Sequence, residues 1–132
     1  MWSHYADSHQ GICLEFDGDF ALMTHAMKVK YAETRPVINM YQDNHQTQLE
    51  KALLTKSLEW EYEDEWRLIS YDEGPRVIRF RPQNLTGLIF GAQVKTDTIE
   101  TVKNWLSKRT EPIKLYKTEV CKSTYKLTII EI

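Results

Sequence analysis

Residues 59–67, with the sequence EWEYEDEWR, place acids, aromatic side chains and an arginine within nine positions. A carboxylate that lies in a cleft needs a compensating charge, either from a neighbouring arginine or from a cationic substrate. Glu63, Glu65 and Arg67 are therefore the candidate catalytic residues. If their side chains face water instead, the same three residues form an ordinary ion-pair ladder that stabilises the fold very little.

The aromatic residues of this stretch predict its register on a β-strand. Side chains alternate between the two faces of a strand, so Trp60, Tyr62 and Trp66 share one face and the three candidate residues share the other. Burial of each aromatic ring removes about 150–250 Å² from water, which stabilises the strand by roughly 4–6 kcal/mol. Placing two acids side by side on a solvated strand face costs only a few tenths of a kcal/mol per pair, so the aromatic residues decide the register. We therefore expect buried aromatic rings and, on the opposite face, the solvated ladder.

A second cluster of aromatic and polar residues opens the chain, in the sequence MWSHYADSHQG. If this segment is a helical turn, Asp7 lies three positions after His4 on the same face, where its charge favours the protonated imidazole. Trp2, His4, Tyr5 and Asp7 are the candidate ligand-binding residues. The alternative is structural, with Trp2 and Tyr5 anchored in the core and the His4–Asp7 pair at its edge.

The sequence predicts neither a metal site nor a cofactor. His4 and His9 are five positions apart, which is a poor spacing for two ligands on one helical face. Cys13 and Cys121 are the only cysteines, and they form neither a CxxC pair nor a Cys/His cluster. We expect two packed thiols rather than a disulfide. Serines lie beside histidines near the start, but the GxSxG pattern of a hydrolase is absent from the sequence.

Composition narrows the class of protein further. A chain of 132 residues predicts a single domain over residues 1–132. The formal net charge is −2, so we expect no nucleic-acid partner, since such proteins need a net basic face. No apolar run approaches the roughly 20 residues of a membrane-spanning helix, and the first residues lack a signal peptide pattern. The expected location is cytoplasmic, without membrane association.

The elements that position these residues can be read from hydrophobic periodicity. Helices are predicted over 19–26, 41–58 and 96–106, the last with Ile99, Val102 and Leu106 on its apolar face. Strands are predicted over 12–16, 27–32, 65–71, 77–81, 85–92, 113–120 and 125–132. The strand over 85–92 is continuously apolar, which is typical of burial on both faces.

The order of these elements predicts an α+β fold. Strands occur in runs at both ends and do not alternate regularly with helices. We expect one largely antiparallel mixed sheet of six to seven strands with two to three helices.

Together the two motifs resemble a bacterial domain of unknown function, the two-nine-seven-one family. The family pattern runs Met-Trp-x-His-Tyr-Ala-Asp, then glycine and an apolar strand ending in Glu-Phe-Asp, and later Lys followed by Trp-x-Tyr-Glu-x-Glu-Trp-Arg. The first block matches at Met1, Trp2, His4, Tyr5, Ala6, Asp7, Gly11, Glu15, Phe16 and Asp17. The second block matches at Lys56, Trp60, Tyr62, Glu63, Glu65, Trp66 and Arg67.

The resemblance also implies a difference from other members. Proteins of this type carry a further segment before the Met-Trp block, with an Asn-Asp-Pro element, whereas this chain starts inside the motif. We therefore expect a short or truncated form, in which an open sheet edge or apolar patch favours self-association. If the missing segment supplies part of a site, this form lacks activity.

Two functions follow as hypotheses. The favoured one is a non-enzymatic domain that forms a homo-oligomer or binds a protein partner. The alternative comes from the order of the family's blocks, which looks loosely similar to ADP-ribosyltransferase-like folds that bind nucleotides or NAD. On that analogy Glu65 is the catalytic carboxylate, Tyr5 stacks on nicotinamide and His4 contacts ribose or phosphate.

Overall fold

In the computed structural model, the chain divides into two compact units. The first comprises Met1–Phe20 and Val77–Ile132, and the second comprises Ala21–Arg76. The structure describes residues 2–18, 21, 23–69, 77–124 and 126–132. The prediction of a single domain over residues 1–132 stays a prediction.

Within the described residues there are eight strands, three α-helices and three short 3₁₀ helices. The strands are β1 (Ile12–Phe16), β2 (Met27–Lys28), β3 (Lys30–Ala32), β4 (Thr55–Ser57), β5 (Trp66–Arg67), β6 (Leu85–Phe90), β7 (Lys114–Val120) and β8 (Leu127–Glu131). The helices are α1 (Trp2–Tyr5), α2 (His45–Leu53) and α3 (Thr96–Leu106), and the 3₁₀ helices are Met23–His25, Leu58–Glu63 and Pro82–Asn84.

The first unit is built on a four-stranded mixed sheet with the order β1-β6-β7-β8. β6 pairs antiparallel with β1 and parallel with β7, and β7 pairs antiparallel with β8. Leu85, Leu88 and Phe90 of β6 are buried. The continuously apolar stretch is thus one of the two inner strands of the sheet. It is largely buried, as its sequence predicts, because a strand covered on both faces needs apolar side chains on both.

Helix α3 packs on one face of this sheet and completes the core of the first unit. Leu88, Phe90, Val94 and Val102 form its buried cluster, and partly buried apolar residues pack against that cluster: Ile99, Leu106, Ile113 and Leu115. The predicted apolar face of the helix is confirmed, since Ile99, Val102 and Leu106 all belong to this core.

The turn that joins α1 to β1 rests directly on the end of β6. Asp7, Ser8 and His9 all have positive φ, at 44°, 51° and 70°. The His9 carbonyl accepts a hydrogen bond from Gln93 N–H at 3.0 Å, and Gly91 N–H donates to Gly11 O at 2.9 Å. Left-handed backbone costs roughly 1–2 kcal/mol per residue, so these contacts with the β6 end hold the turn.

The second unit contains two strand pairs and α2. β2 and β5 pair antiparallel, whereas β3 and β4 pair in parallel with Tyr31 opposite Lys56. α2 is followed by one residue, Leu54, and then by β4. The Asn44 side chain caps α2 by accepting from Thr47 N–H at 2.8 Å.

The helix predicted over 41–58 is shorter in the structure, and the prediction is wrong at both ends. Tyr41 N–H and Gln42 N–H donate to the Asn39 side chain, so a turn precedes the Asn44 cap. At the other end the chain leaves α2 after Leu53 to pair with β3. Side-chain hydrogen bonds to the backbone compete with helix formation at the first end, and strand pairing competes at the second.

The α+β class is confirmed. The strands are distributed over one four-stranded sheet and two strand pairs, with both parallel and antiparallel neighbours. Of the helix predicted over 19–26, residues 19, 20 and 22 lie outside the described residues, and 23–25 form a single 3₁₀ turn. Residues 77–81 are not a strand, although Phe80 packs edge-on against Phe16 at 5.0 Å between ring centroids.

Among the described residues, none of the helices has the length and apolar character needed to cross a membrane.

The contact between Gly91 and the strained turn leads to a stability prediction. A Cβ atom at Gly91 would lie 2.1 Å from the His9 carbonyl oxygen, which is backbone and cannot swing away. We expect Gly91→Ala to lower the free energy of unfolding by about 1–3 kcal/mol in urea denaturation. Gly18→Ala is the matched control, because nothing lies within 4 Å of its Cβ position. Equal stability of the two variants would contradict this packing.

Candidate functional site

The predicted catalytic residues lie together in the second unit, around the side chain of Lys56. The Lys56 ammonium donates to Glu63 Oε2 and, at 3.1 Å, to Glu65 Oε2. Arg67 binds Glu65 from the other side through Nε to Oε1 at 2.6 Å and Nη2 to Oε2 at 3.1 Å. Two carboxylates and two cations thus alternate in space, and their formal charges cancel. We call these four residues the ionic cluster.

Three further contacts hold the ionic cluster in place. Glu65 N–H donates to Tyr31 Oη at 2.8 Å, which ties the cluster to β3. Arg67 Nη1 donates to Leu53 O at the end of α2, where a cation also complements the helix dipole. The Lys56 ammonium lies 4.8 Å from the ring centroid of Trp60, within range of a cation–π interaction. The cluster therefore joins β3, β4, β5 and α2.

The ionic cluster is shielded from water at Glu63 and Lys56 and partly exposed at Glu65 and Arg67. Only 4% of the Glu63 side chain and 15% of the Lys56 side chain are exposed. The pKa of Glu65 is below its usual value because its carboxylate accepts from Arg67 and Lys56, and partial burial opposes this shift only in part. The expectation of a solvated ladder is wrong, since charge compensation here takes place in a half-buried environment.

The strand register predicted for residues 59–67 is also wrong, and of the strand predicted over 65–71 residues 70 and 71 lie outside the described residues. Leu58–Glu63 is a 3₁₀ helix that ends at Asp64 in the left-handed region, with φ 42°. Only Trp66–Arg67 pairs as a strand, with β2. Tyr62 and Trp66 are 68% and 58% exposed, so the aromatic side chains do not form one buried face. Glu63 therefore lies at the end of the 3₁₀ helix and Arg67 on the strand, with the left-handed Asp64 between them.

The predicted ligand-binding residues lie in the first unit. Trp2, His4 and Tyr5 belong to α1, which ends before Asp7. Because Asp7 has left-handed backbone, the expectation that it shares a helical face with His4 is wrong. Tyr5 is 67% exposed, so it does not anchor the core as the structural alternative proposed, and its ring lies edge-on to His4 at 6.5 Å between centroids.

The structure therefore brings Glu63, Glu65 and Arg67 into one cluster and places the four ligand-binding candidates on and after α1. The catalytic and ligand-binding roles of both sets stay predictions. Sequence reasoning did not identify Tyr31, whose hydroxyl accepts from the backbone of Glu65. The available signal was the alternation of the strand around residues 27–32, which marks Tyr31 as inward-facing but does not reveal its partner.

Both cysteines are free thiols in different chemical environments. Burial and the nearby charge of Glu15 raise the pKa of Cys13. Hydrogen bonds from Ser123 and Thr124 lower the pKa of Cys121 to about 6. Within the part of the chain that the structure describes, no group of three His, Cys, Asp or Glu side chains is arranged to hold a metal ion.

Comparison with protein families gives one match. Residues 1–68 match the model of a family described as a protein of unknown function (DUF2971).

The chain belongs to this family. The matched residues include both α1 and the complete ionic cluster, and they end one residue beyond Arg67. Neither the curated proteins nor the solved structures include a match to the chain. The family description assigns no activity, so function has to be argued from the geometry of this member.

Removing one charge from the ionic cluster should reveal how far the second unit depends on it. We expect Lys56→Met to lower the free energy of unfolding by about 2–4 kcal/mol, because it leaves the shielded Glu63 and the partly exposed Glu65 without their shared cation. The control is Lys30→Met, which breaks the exposed Lys30–Glu50 pair and should cost less than about 1 kcal/mol. Urea denaturation followed by tryptophan fluorescence measures the free energy of unfolding of both variants. Similar decreases in the two would contradict the prediction that the ionic cluster stabilises the unit more than an exposed ion pair does.

The lowered pKa of Glu65 predicts a pH dependence with a definite sign. Because the pKa is lower in the folded than in the unfolded chain, its contribution to stability is complete above about pH 4.5 and is lost as pH falls through the folded-state pKa. The stability difference between the wild type and Glu65→Gln should thus be largest near pH 7 and shrink at pH 3. A difference that stays constant from pH 7 to 3 would contradict the assigned ion pairs.

Proposed function

We propose that the chain is a non-enzymatic binding domain that associates with a second copy of itself through residues 37–41. The observation that carries this proposal is the exposure of four large apolar side chains on this short segment. The exposed fractions are 82% for Val37, 38% for Ile38, 71% for Met40 and 100% for Tyr41. Contiguous exposed apolar side chains of this kind are typical of interaction sites.

A polar network holds the segment from the inside. The Asn39 side chain accepts from Tyr41 N–H at 3.0 Å and Gln42 N–H at 3.2 Å, while Asn39 N–H donates to Asp43 Oδ2 at 2.7 Å. Lys51 of α2 donates to the same Asp43 oxygen at 2.6 Å and to Val37 O at 3.1 Å. A segment ordered in this way loses little conformational entropy when it binds, which favours association.

The charges around the segment favour a second copy as the partner. Residues 36–42 carry no charged side chain, and Asp43 and Lys51 behind them neutralise each other. Two copies can therefore meet through the same surface about a twofold axis without bringing like charges together. Methionine and tyrosine are also among the residues enriched at protein interfaces.

The size of the surface indicates how strong the association should be. Four exposed apolar side chains are a small surface beside the roughly 20–30 residues that each partner contributes to a standard-sized interface. We expect a weak, concentration-dependent dimer with a dissociation constant in the micromolar range or above.

Sedimentation velocity from micromolar to millimolar concentration tests this proposal. The wild type should shift from monomer to dimer, and the double variant Met40→Ser, Tyr41→Ser should weaken the dimer at least tenfold, since it removes the two largest exposed groups. Val120→Ser, at a 62% exposed position of the first unit, is the matched control and should dimerise like the wild type.

Each other outcome argues against the proposed surface. A wild-type chain that stays monomeric at every concentration would exclude self-association. Binding to a different protein partner would then be the hypothesis to test. A dimer that survives the double variant but not Val120→Ser would move the contact to the sheet of the first unit, at the end of β7.

The alternative prediction of a nucleotide- or NAD-binding enzyme rests on Glu65. Both oxygens of this carboxylate accept hydrogen bonds from Arg67, Lys56 or both, so a ligand that used them has to displace a cation. We therefore place the binding function first. Calorimetry with NAD on the wild type and on Glu65→Gln separates the two functions, because only the enzyme hypothesis expects heat that the variant loses.

A further inference from the structure

A cleft of about 320 Å³ opens in the second unit where the parallel strands β3 and β4 end. Its lining begins at Ala32 and Ser57, which are the last paired residues of the two strands. The crevice beyond the carboxyl ends of parallel strands is where ligands bind in open α/β sheets, because the chains diverge there and leave backbone and side chains facing a gap. The volume suits a small organic molecule.

Opposite charges line this cleft without neutralising each other. Glu33 and Arg35 both contribute to its wall and are exposed. Within the described residues, neither side chain makes a hydrogen bond or ion pair. Arg35 precedes Pro36, which restricts its backbone to extended conformations and so limits the directions that its side chain takes. An unpaired guanidinium and an unpaired carboxylate are thus presented to the same space.

Hydroxyl groups supply the other polar contacts of the cleft. Thr34, Thr55 and Ser57 line it, and no hydrogen bond of these hydroxyls occurs within the described part of the chain. Lys56 also lines the cleft, with its ammonium held in the ionic cluster. Because Glu63 and Glu65 neutralise Lys56, Arg35 is the cation of this lining that has no ion pair within the described residues, and an anionic group is favoured beside it.

The neighbouring surface is acidic and favours a cationic group. An adjoining cleft of about 420 Å³ shares Glu33 and Ser57 with the first and adds Leu58 and Glu59. Two carboxylates thus border this second space, with the 40% exposed side chain of Leu58 between the strand end and the acid. We call the two clefts together the groove: Arg35 lines the first, Leu58 and Glu59 line the second, and Glu33 lines both.

From this arrangement we propose that the groove binds a small aliphatic zwitterion. Its carboxylate lies against Arg35 and the hydroxyls, its hydrocarbon chain against Leu58, and its ammonium group against Glu33 and Glu59. Free basic amino acids and ω-amino acids have this chemistry. The proposal is independent of self-association through residues 37–41, since none of those residues lines either cleft.

An NMR titration of the ¹⁵N-labelled chain with 6-aminohexanoate tests the proposal, because it detects millimolar binding. Amide signals of Thr34 and Ser57 should shift with saturation. Hexanoate and hexylamine, which each keep only one of the two charges, should bind about tenfold more weakly. L-lysine serves as a second zwitterionic probe. Equal affinity for either single-charge analogue, or no saturable shift with both zwitterions, would overturn the assignment.

Charge-removing variants locate the two ends of the ligand. Arg35→Gln should weaken 6-aminohexanoate about tenfold and leave hexylamine binding unchanged, whereas Glu33→Gln should reduce the affinity for both amines. Arg79→Gln is the matched control, since Arg79 is exposed and belongs to the first unit. All three side chains are exposed, so we expect the variants to fold, and the ¹⁵N spectrum of each free variant verifies this. Unchanged affinity in Arg35→Gln and Glu33→Gln would place the ligand elsewhere.

Discussion

Lys56 lies between two carboxylates in a largely water-excluded part of the second unit, and the arrangement of that unit depends on this contact. A shielded carboxylate is stable only if a cation compensates it, and Glu63 and Glu65 share one such cation. Arg67 then satisfies the second side of Glu65 and reaches the end of α2. The short strand pairs around the cluster bury little apolar surface by themselves, since Val29 and Leu54 are the buried apolar residues among the described part of this unit. Electrostatic compensation therefore takes over part of the role that a larger core has elsewhere.

The two units are stabilised in different ways. In the first, an inner apolar strand and the apolar face of α3 exclude water, and Phe90 is completely buried. In the second, polar networks fix short segments: the ionic cluster fixes the residues around β5, and the Asn39–Asp43–Lys51 network fixes the turn before α2.

Part of this organisation follows from sequence patterns. The apolar run of β6 and the 3.6-residue periodicity of α3 specify elements through the burial of apolar side chains, and both predictions are confirmed. The strand β1 is also confirmed, but Ile12 and Leu14 are 43% and 46% exposed, so its alternation does not mark a buried apolar face. Residues 41–44 and 58–63 could not be predicted in the same way. Their conformations depend on single hydrogen bonds and on one left-handed residue, Asp64, which leave no periodic pattern in the sequence.

For the candidate site, the sequence by itself determined which residues carry the charges and placed Glu63, Glu65 and Arg67 within five positions of one another. The strand register used to group them was wrong, because a 3₁₀ helix and a left-handed residue leave no periodic pattern. Only the tertiary structure decided that Lys56 joins them, that the cluster is partly shielded, and that Glu33 and Arg35 face one cleft at the ends of β3 and β4. These contacts form because β3 and β4 pair although more than twenty residues of the chain separate them. The burial of the ionic cluster and the pairing of its charges therefore depend on long-range strand pairing rather than on local sequence.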